Sequence, residues 1–326
     1  MMQCAVALDE NTKCPRWDLA MKQWFPDPAV RSYVQRVAGS ALVGAQRDHA
    51  FIIHFGDGRN GKGTFIRGLQ NVLGEYATVI HLSLLQKTQH KQHDAVKAAL
   101  FRSRLAVGSE TEKRIPLDEA QVKNLTGGDR ITACRKYENP WEFTPTHSLW
   151  LQTNNLPKIS GTDTGIWSRI RVVKWETTFS PEDQVKDLDE TLAKEAPGIL
   201  NWMLEGCLSW QKEGLNEPEA VTRETMAYRD REDVVKLSMS DVGLALDPSL
   251  KIRSKELQAL LKEWAEEAGI PAPVRQLKSV MENAGCTDKK PRIDGERVKI
   301  LIGIGLRKSE EDEQYELDER EGVQQQ

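Results

Sequence analysis

The chain carries the stretch Gly-Asp-Gly-Arg-Asn-Gly-Lys-Gly-Thr at residues 56–64. An apolar run at residues 51–55 precedes this stretch, and a helical pattern at residues 65–73 follows it. A glycine-rich turn between a buried strand and a helix is the usual context of a phosphate-binding loop. The stretch therefore predicts an α/β fold that is built around a nucleotide site.

The chemistry of phosphate binding explains the residue types in this loop. Glycines let backbone N–H groups turn inward around a phosphate, and the helix N-terminus adds positive partial charge. The Lys62 ammonium would lie between the β- and γ-phosphates of ATP. We predict that the nucleotide is bound by residues of this loop, namely Gly56, Gly58, Asn60, Gly61, Lys62, Gly63 and Thr64.

One position departs from the usual pattern of such loops. Gly63 stands where serine or threonine commonly supplies a ligand to Mg²⁺, and Thr64 comes one residue later. The sequence leaves two alternatives open. Either the Thr64 hydroxyl reaches the metal, or a water molecule fills the position.

Short apolar runs alternate with helical segments over residues 49–178, as in an α/β sheet domain. The runs at residues 51–53, 105–107, 149–151 and 170–173 are typical of buried central strands. The second run leads to Glu110 and Glu112, which we assign jointly as partner of Mg²⁺ and as base for the attacking water. Their spacing does not decide which residue has which role. The third run ends near Asn154, which could hold the water or sense the γ-phosphate.

Two further segments suggest contacts beyond the nucleotide. Residues 130–136 and 141–144 predict a hairpin, and its tip carries Arg135, Lys136 and Tyr137, a combination suited to gripping a nucleic-acid backbone. Arg169 and Arg171 follow a glycine-containing loop. An arginine inserted from a neighbouring subunit stabilises transition-state charge at a γ-phosphate, so both are candidates for that role.

Charge is distributed unevenly along the chain. The 326 residues carry a net charge of −4, but residues 309–326 contribute −7 and the remainder carries +3. Residues 251–308 alone carry +5, which permits a nucleic-acid partner despite the acidic total. No apolar run approaches the roughly 18 residues that a membrane helix needs. The five cysteines form no CxxC pair, which favours a reducing cytoplasm.

The pattern divides the chain into five segments. We predict a helical lead-in at residues 1–48, an α/β core with a mostly parallel sheet at 49–178, and a helical lid at 179–232. Residues 233–308 show two helices followed by a strand pair, the order of a winged-helix module. Residues 309–326 form an acidic tail that cannot bury a core.

The motifs together resemble the helicase part of the phage and plasmid primase-helicases, a superfamily 3 group within the AAA+ ATPases. The resemblance spans about residues 14–307. The segments that carry it are Cys14-Pro15 and the stretches at residues 58–62, 109–112, 125–129, 149–157 and 166–171.

The resemblance implies roles for single residues. It makes Lys62 the phosphate-loop lysine, Asn154 the sensor asparagine, and Arg169 the arginine finger, with Arg171 second. It also assigns Glu110 to the acidic motif, so that Thr64 and Glu110 become the proposed ligands of Mg²⁺.

The family further implies a ring, usually a hexamer, because each site borrows an arginine from its neighbour. Its typical N-terminal primase domain has no room before the loop, so we expect a separately encoded primase or a stand-alone helicase. The leading prediction is an ATP-driven helicase that translocates on single-stranded or forked DNA, without a membrane partner. The alternative is an ATP-switched initiator or helicase loader that binds DNA without unwinding it, because Gly63 could weaken the metal site.

Overall fold

A computed structural model describes residues 2–44, 47–87, 94–109, 116–135, 137–159, 164–269, 271–293 and 296–306. The chain forms two compact units, Met1–Arg229 and Asp230–Gln326. The first unit contains the phosphate loop and the strands predicted around it.

The first unit alternates helices and strands. Its helices are α1 (Pro15–Trp24), α2 (Pro28–Ser40), α3 (Lys62–Leu73), α4 (Asp94–Ala98), α5 (Glu119–Thr126), α6 (Thr164–Trp167), α7 (Leu188–Lys194), α8 (Ala196–Glu213) and α9 (Glu219–Glu232). Its strands are β1 (Phe51–Phe55), β2 (Ala77–Ile80), β3 (Leu105–Ser109), β4 (Ile131–Ala133), β5 (Trp141–Phe143), β6 (Ser148–Thr153) and β7 (Ile170–Lys174).

Five of these strands form a central parallel sheet in the order β2-β3-β6-β1-β7. The prediction of an α/β fold with a mostly parallel sheet is therefore confirmed, with β1 between β6 and β7. The edge strand β2 was not predicted. It has four residues, of which Val79 is exposed and Ile80 alone is buried, so it lacks the continuous buried apolar run of the central strands.

Each face of the sheet packs on a separate apolar cluster. One face, which includes Ile52 and Trp150, packs on α1, α2, α3 and α8, with Trp17 fully buried among them. The other face, which includes Ile53 and Leu151, packs on α5, α6 and the hairpin β4–β5. Leu208 of α8 is 58% exposed, because it lies on the outer side of the helix.

The second unit has its own apolar core, which includes Leu257, Leu261 and Ile304. Its elements are α10 (Val234–Asp241), β8 (Leu244–Arg253), α11 (Ser254–Ala268), α12 (Val274–Asn283), β9 (Thr287–Lys289), β10 (Arg292–Ile293), β11 (Glu296–Arg297) and β12 (Ile300–Leu306). Strands β8, β12 and β9 form an antiparallel sheet in that order, and β10 pairs with β11 in a short hairpin.

None of the helices in the described ranges is long and apolar enough to cross a membrane. The acidic tail at residues 309–326 lies outside the described residues.

Candidate phosphate-binding site

The glycine-rich loop joins the carboxyl end of β1 to the first turn of α3. Gly61 has φ 91°, and a Cβ there would lie 2.1 Å from Trp24 Nε1. A Cβ at Gly56 would lie 2.6 Å from the carbonyl oxygen of Trp175. Both glycines are therefore required by close packing, whereas a Cβ at Gly58 would meet open space. The loop wraps the N-terminus of a twelve-residue helix, the geometry that suits an anion.

Lys62 places its ammonium inside this loop and is only 3% exposed. Its Nζ donates to the carbonyl oxygens of Gly56 at 2.5 Å and Asp57 at 3.3 Å. It also donates to Asn60 Oδ1 at 3.1 Å. Burial lowers the pKa of Lys62 to about 8, while the charge of Asp57 opposes that shift. The ammonium is thus held by neutral acceptors that phosphate oxygens would replace favourably.

Because the pKa of Lys62 is lowered, we expect ATP affinity to depend on pH. Phosphate binds the ammonium, so ATP affinity should be steady below about pH 8, the pKa of this amine. Above that pH each binding event must take up a proton, and affinity should fall by up to about tenfold per pH unit. Titration of ATP between pH 7 and pH 10 measures this. Lys62→Arg is the control, since arginine stays charged, and the same pH profile in both proteins would contradict the prediction.

Two tryptophans, Trp24 and Trp175, pack against the loop glycines and form what we call the aromatic floor. Trp24, at the end of α1, packs edge-on against Phe65 of α3, with ring centroids 6.1 Å apart. Trp175 donates from Nε1 to Nδ1 of the fully buried His54 at 3.1 Å. Burial and the nearby Lys62 charge lower the pKa of His54 to about 3, so this imidazole stays neutral. The floor is rigid and uncharged, which holds the loop in place without competing for phosphate.

A cavity of about 240 Å³ is lined in part by Trp24. Apolar walls come from Phe25, Val172 and Val221. Lys174 and Glu224 lie on its rim and form an ion pair at 3.3 Å. Trp24 thus lines this cavity and also packs against Gly61 of the glycine-rich loop.

Of the polar residues predicted at the carboxyl ends of the strands, Asn154 lies within the described residues. Asn154 is exposed directly after β6, whose last residue Thr153 is paired with Phe55 at the end of β1. It therefore lies beside the start of the loop. Glu110 and Glu112 follow Ser109, the last residue of β3, and lie outside the described residues. The Thr64 hydroxyl accepts a hydrogen bond from Arg67 Nη2 at 3.1 Å.

The two candidates for an arginine finger lie at the amino end of the parallel strands, opposite the carboxyl end that carries the loop. Arg169 directly precedes β7 and Arg171 is its second residue, while Ile170 pairs with Phe51 at the start of β1. Arg169 Nη1 donates to the carbonyl oxygen of Gly165 at 2.6 Å. Arg171 forms an ion pair with Glu217. Neither arginine is near the phosphate loop of its own chain.

The predicted hairpin is present as β4 paired with β5. Its tip exposes Arg135 and Tyr137, the latter 93% exposed with φ 68°. Arg135 lies 3.9 Å from Glu138 in an exposed ion pair, a weak restraint in water. Lys136 lies outside the described residues.

Sequence reasoning missed several residues that build the site. Trp24 and Trp175 were not assigned to the loop, because nothing in their local sequence shows which strand end they pack against. Arg67 was also missed. It follows Gly63 by four residues on a helix, and long helical side chains point back towards the N-terminus, so this spacing could have identified it.

Comparison with known proteins gives both sequence and fold relatives. A family model described as "Family of unknown function (DUF5906)" matches residues 54–169. The chain is 25% identical over 264 residues to "Putative helicase L207/L206" of Acanthamoeba polyphaga mimivirus, covering 75% of this chain and 28% of that protein. It is 25% identical over 274 residues to "Putative helicase 022R" of Frog virus 3, covering 78% and 28%. A match to "Putative primase C962R" of African swine fever virus is 24% identical and covers 49% and 17%.

The chain thus spans about a quarter of the length of the two helicase relatives. Among solved structures, the apo C-terminal region of NrS-1 (305–718) is similar in fold, with a TM-score of 0.55 and 12% identity. That match covers 92% of this chain and 79% of the other. The resemblance that the motifs indicated is confirmed by these relatives: the chain is related to the helicase part of viral proteins named as helicases and primases.

Proposed function

We propose that the protein is an ATP-dependent DNA helicase that translocates on single-stranded DNA as a ring. The buried Lys62 ammonium carries this proposal, because it lies inside a glycine loop at a central strand end in a chain related to viral helicases. The reaction is hydrolysis of ATP, coupled to movement along DNA in the replication of a phage, virus or mobile element.

ATP fits the described site in two parts. Its phosphates would lie on the loop, where the Lys62 ammonium exchanges carbonyl oxygens for phosphate oxygens and the N-terminus of α3 adds backbone donors. Its base would enter the neighbouring cavity beside Trp24, where an aromatic ring offers stacking.

Mg²⁺ remains part of the proposal through Thr64 and Glu110. When bound, it would neutralise charge on the phosphate oxygens. Thr64 offers a hydroxyl near the loop, but that oxygen already accepts from Arg67. In the described ranges, no group of three or more His, Cys, Asp or Glu side chains is placed to hold a metal.

The positions of Lys62 and Arg169 support the ring that we propose. Strand β1 and strand β7 run in parallel, so the loop after β1 and the arginine before β7 are separated by the length of a strand, about 13 Å for five residues. If Arg169 acts on the phosphates, it must therefore reach the loop of a neighbouring chain. Head-to-tail contacts of this kind close into rings, and a hexamer is the size we propose.

DNA contacts are proposed for two exposed hairpins. The first is the β4–β5 hairpin with Arg135, Lys136 and Tyr137, which would face the strand inside the ring. The second is the wing, defined here as strands β9–β12, of the module that we propose to be a winged helix. Arg292 and Arg297 are direct cross-strand partners in the wing, and both are exposed. Like charges directly opposite each other are unfavourable, and a phosphate between them would relieve the repulsion.

The wing gives a test of DNA binding. The double variant Arg292→Ala/Arg297→Ala should weaken single-stranded DNA binding several-fold. It should also reduce the slope of log K against log salt by about 1.4, because two phosphate contacts are lost. Fluorescence anisotropy at several salt concentrations measures both. The control is Lys255→Ala/Lys262→Ala on α11, which removes the same charge from the same unit. An equal loss of DNA affinity in the two variants would mean that net charge, and not the position of Arg292 and Arg297, accounts for the weaker binding.

The experiment that tests the function measures ATP turnover with and without single-stranded DNA, alongside displacement of a labelled strand from a fork. A helicase should show stimulated turnover and ATP-dependent displacement. Sizing of the assembly with bound nucleotide tests the ring. No stimulation by DNA would contradict the proposal.

The alternative is an ATP-switched initiator or helicase loader without unwinding activity. Gly63 favours it, because a loop without the usual hydroxyl could bind ATP more readily than turn it over. Strand displacement separates the two functions, since a loader binds DNA and displaces nothing.

A further inference from the structure

Gly63 occupies an unusual position for a glycine, the first turn of α3. A glycine weakens a helix, and this one has no left-handed backbone angle that would require it. Its neighbour explains it. A Cβ at residue 63 would lie 2.9 Å from Nη1 of Arg67, closer than real Cβ contacts occur. The guanidinium of Arg67 therefore fills the space in which a serine or threonine side chain would begin.

Arg67 is exposed and forms an ion pair with Asp189 of α7. Its Nε donates to Asp189 Oδ1 at 3.2 Å and its Nη2 donates to Oδ2 at 2.8 Å. Nη2 also donates to Thr64 Oγ1 at 3.1 Å. A two-point contact with a carboxylate fixes both the position and the plane of a guanidinium.

The bonds to Asp189 and Thr64 leave one edge of the guanidinium available. In the described part of the chain, Nη1 has no hydrogen-bond partner, and it faces the first turn of α3 above Gly63. The side-chain nitrogen of Gln152, from β6, lies 3.7 Å from the same Cβ position. Two side-chain donors thus converge beside the helix N-terminus. A phosphate oxygen could bind Nη1 while Asp189 keeps the remaining bonds.

We infer that Arg67 is a second cation for the terminal phosphate of the nucleotide, placed in cis where other loops carry a hydroxyl. Asp189 is its positioning residue. The inference rests on the proposed function, since it assumes that ATP binds at the loop. It identifies Gly63 as the residue that makes room for a guanidinium, and it makes the ion pair between α3 and α7 part of phosphate recognition.

The test compares affinities for ATP and ADP, because only ATP carries the γ-phosphate. Arg67→Gln should weaken ATP binding by about tenfold or more, the effect of losing a charged hydrogen bond. ADP affinity should change by less than about threefold, within the variation of an uncharged contact. Arg67→Lys should restore part of the ATP affinity, and Asp189→Asn should reduce the preference for ATP. The exposed Lys212→Gln on α8 is the matched control, which should leave both affinities unchanged.

Two explanations of the glycine at position 63 predict opposite changes in ATP affinity for Gly63→Ser. If Gly63 is only a missing metal ligand, serine should tighten binding of ATP with Mg²⁺. If it makes room for Arg67, the new side chain displaces the guanidinium and ATP binding weakens, with ADP little affected.

The outcomes separate the inference from the proposed function. An unchanged ratio of ATP to ADP affinity in Arg67→Gln, or tighter binding in Gly63→Ser, would overturn the inference alone. A wild-type protein that binds neither nucleotide would overturn the proposed function and the inference with it.

Discussion

We expect Lys62→Ala to lower the rate of ATP hydrolysis by at least about 100-fold, the usual cost of removing one charged group that stabilises a transition state. The ammonium lies inside the loop with three oxygen acceptors around it, and phosphate oxygens would take their place. Alanine removes the only cation that the loop itself encloses among its described residues. Steady-state release of inorganic phosphate, with and without single-stranded DNA, measures the loss.

The fold should tolerate this substitution. The pKa of Lys62 is lowered to about 8 because burial disfavours its charge, so holding the ammonium in the loop costs stability at neutral pH instead of contributing it. Thermal unfolding should therefore shift by a few degrees at most. Lys212→Ala, an exposed lysine on α8, is the control for loss of positive charge. Full turnover in Lys62→Ala would mean that the nucleotide is hydrolysed elsewhere.

Arg169→Ala should lower turnover by about 1,000-fold or more, the range reported for an arginine that stabilises phosphoryl transfer. Its position at the amino edge of the sheet separates it from the loop of the same chain by the length of β1. An arginine placed there would have to act on the nucleotide of a neighbouring chain. The decisive measurement is a mixture of Arg169→Ala with Lys62→Ala, each inactive alone.

In an equal mixture, about a quarter of the head-to-tail contacts would combine an intact Lys62 with an intact Arg169 from the next chain. Activity should therefore reappear and peak near equal amounts of the two variants. Arg171→Ala serves as the comparison. Its ion pair with Glu217 predicts a loss of stability rather than a loss that can be complemented. If no mixing ratio restores turnover, Arg169 does not act between chains.

The central features of the fold follow from local sequence. Strand, glycine loop and helix occur in immediate succession, so residues 51–73 predict β1, the loop and α3 without distant information. The central strands each contain a run of buried apolar residues because both faces of the sheet are covered. The edge strand β2 has one covered side only, and its short sequence gave no comparable signal.

The site is predicted less completely, because part of it comes from distant segments. Lys62 and the glycines are local, but the partner of Arg67 is Asp189, which is 122 residues away. Trp24 reaches the loop from α1, and its sequence contains nothing that specifies Gly61 as its neighbour. Such contacts depend on how the helices pack on the sheet, which a single sequence does not fix.

The packing of Trp24 on the loop has a practical consequence for dissecting the protein. The matched family region covers residues 54–169 and omits α1, most of β1 and all of β7. A fragment trimmed to that region would lose the tryptophan under Gly61 and the strand that pairs with β1. The remainder of the sheet would then present open backbone donors and acceptors to other chains, which promotes aggregation. The smallest piece worth expressing for nucleotide studies therefore begins before Pro15 and keeps α8, which packs on the same sheet face, through the end of the first unit at Arg229.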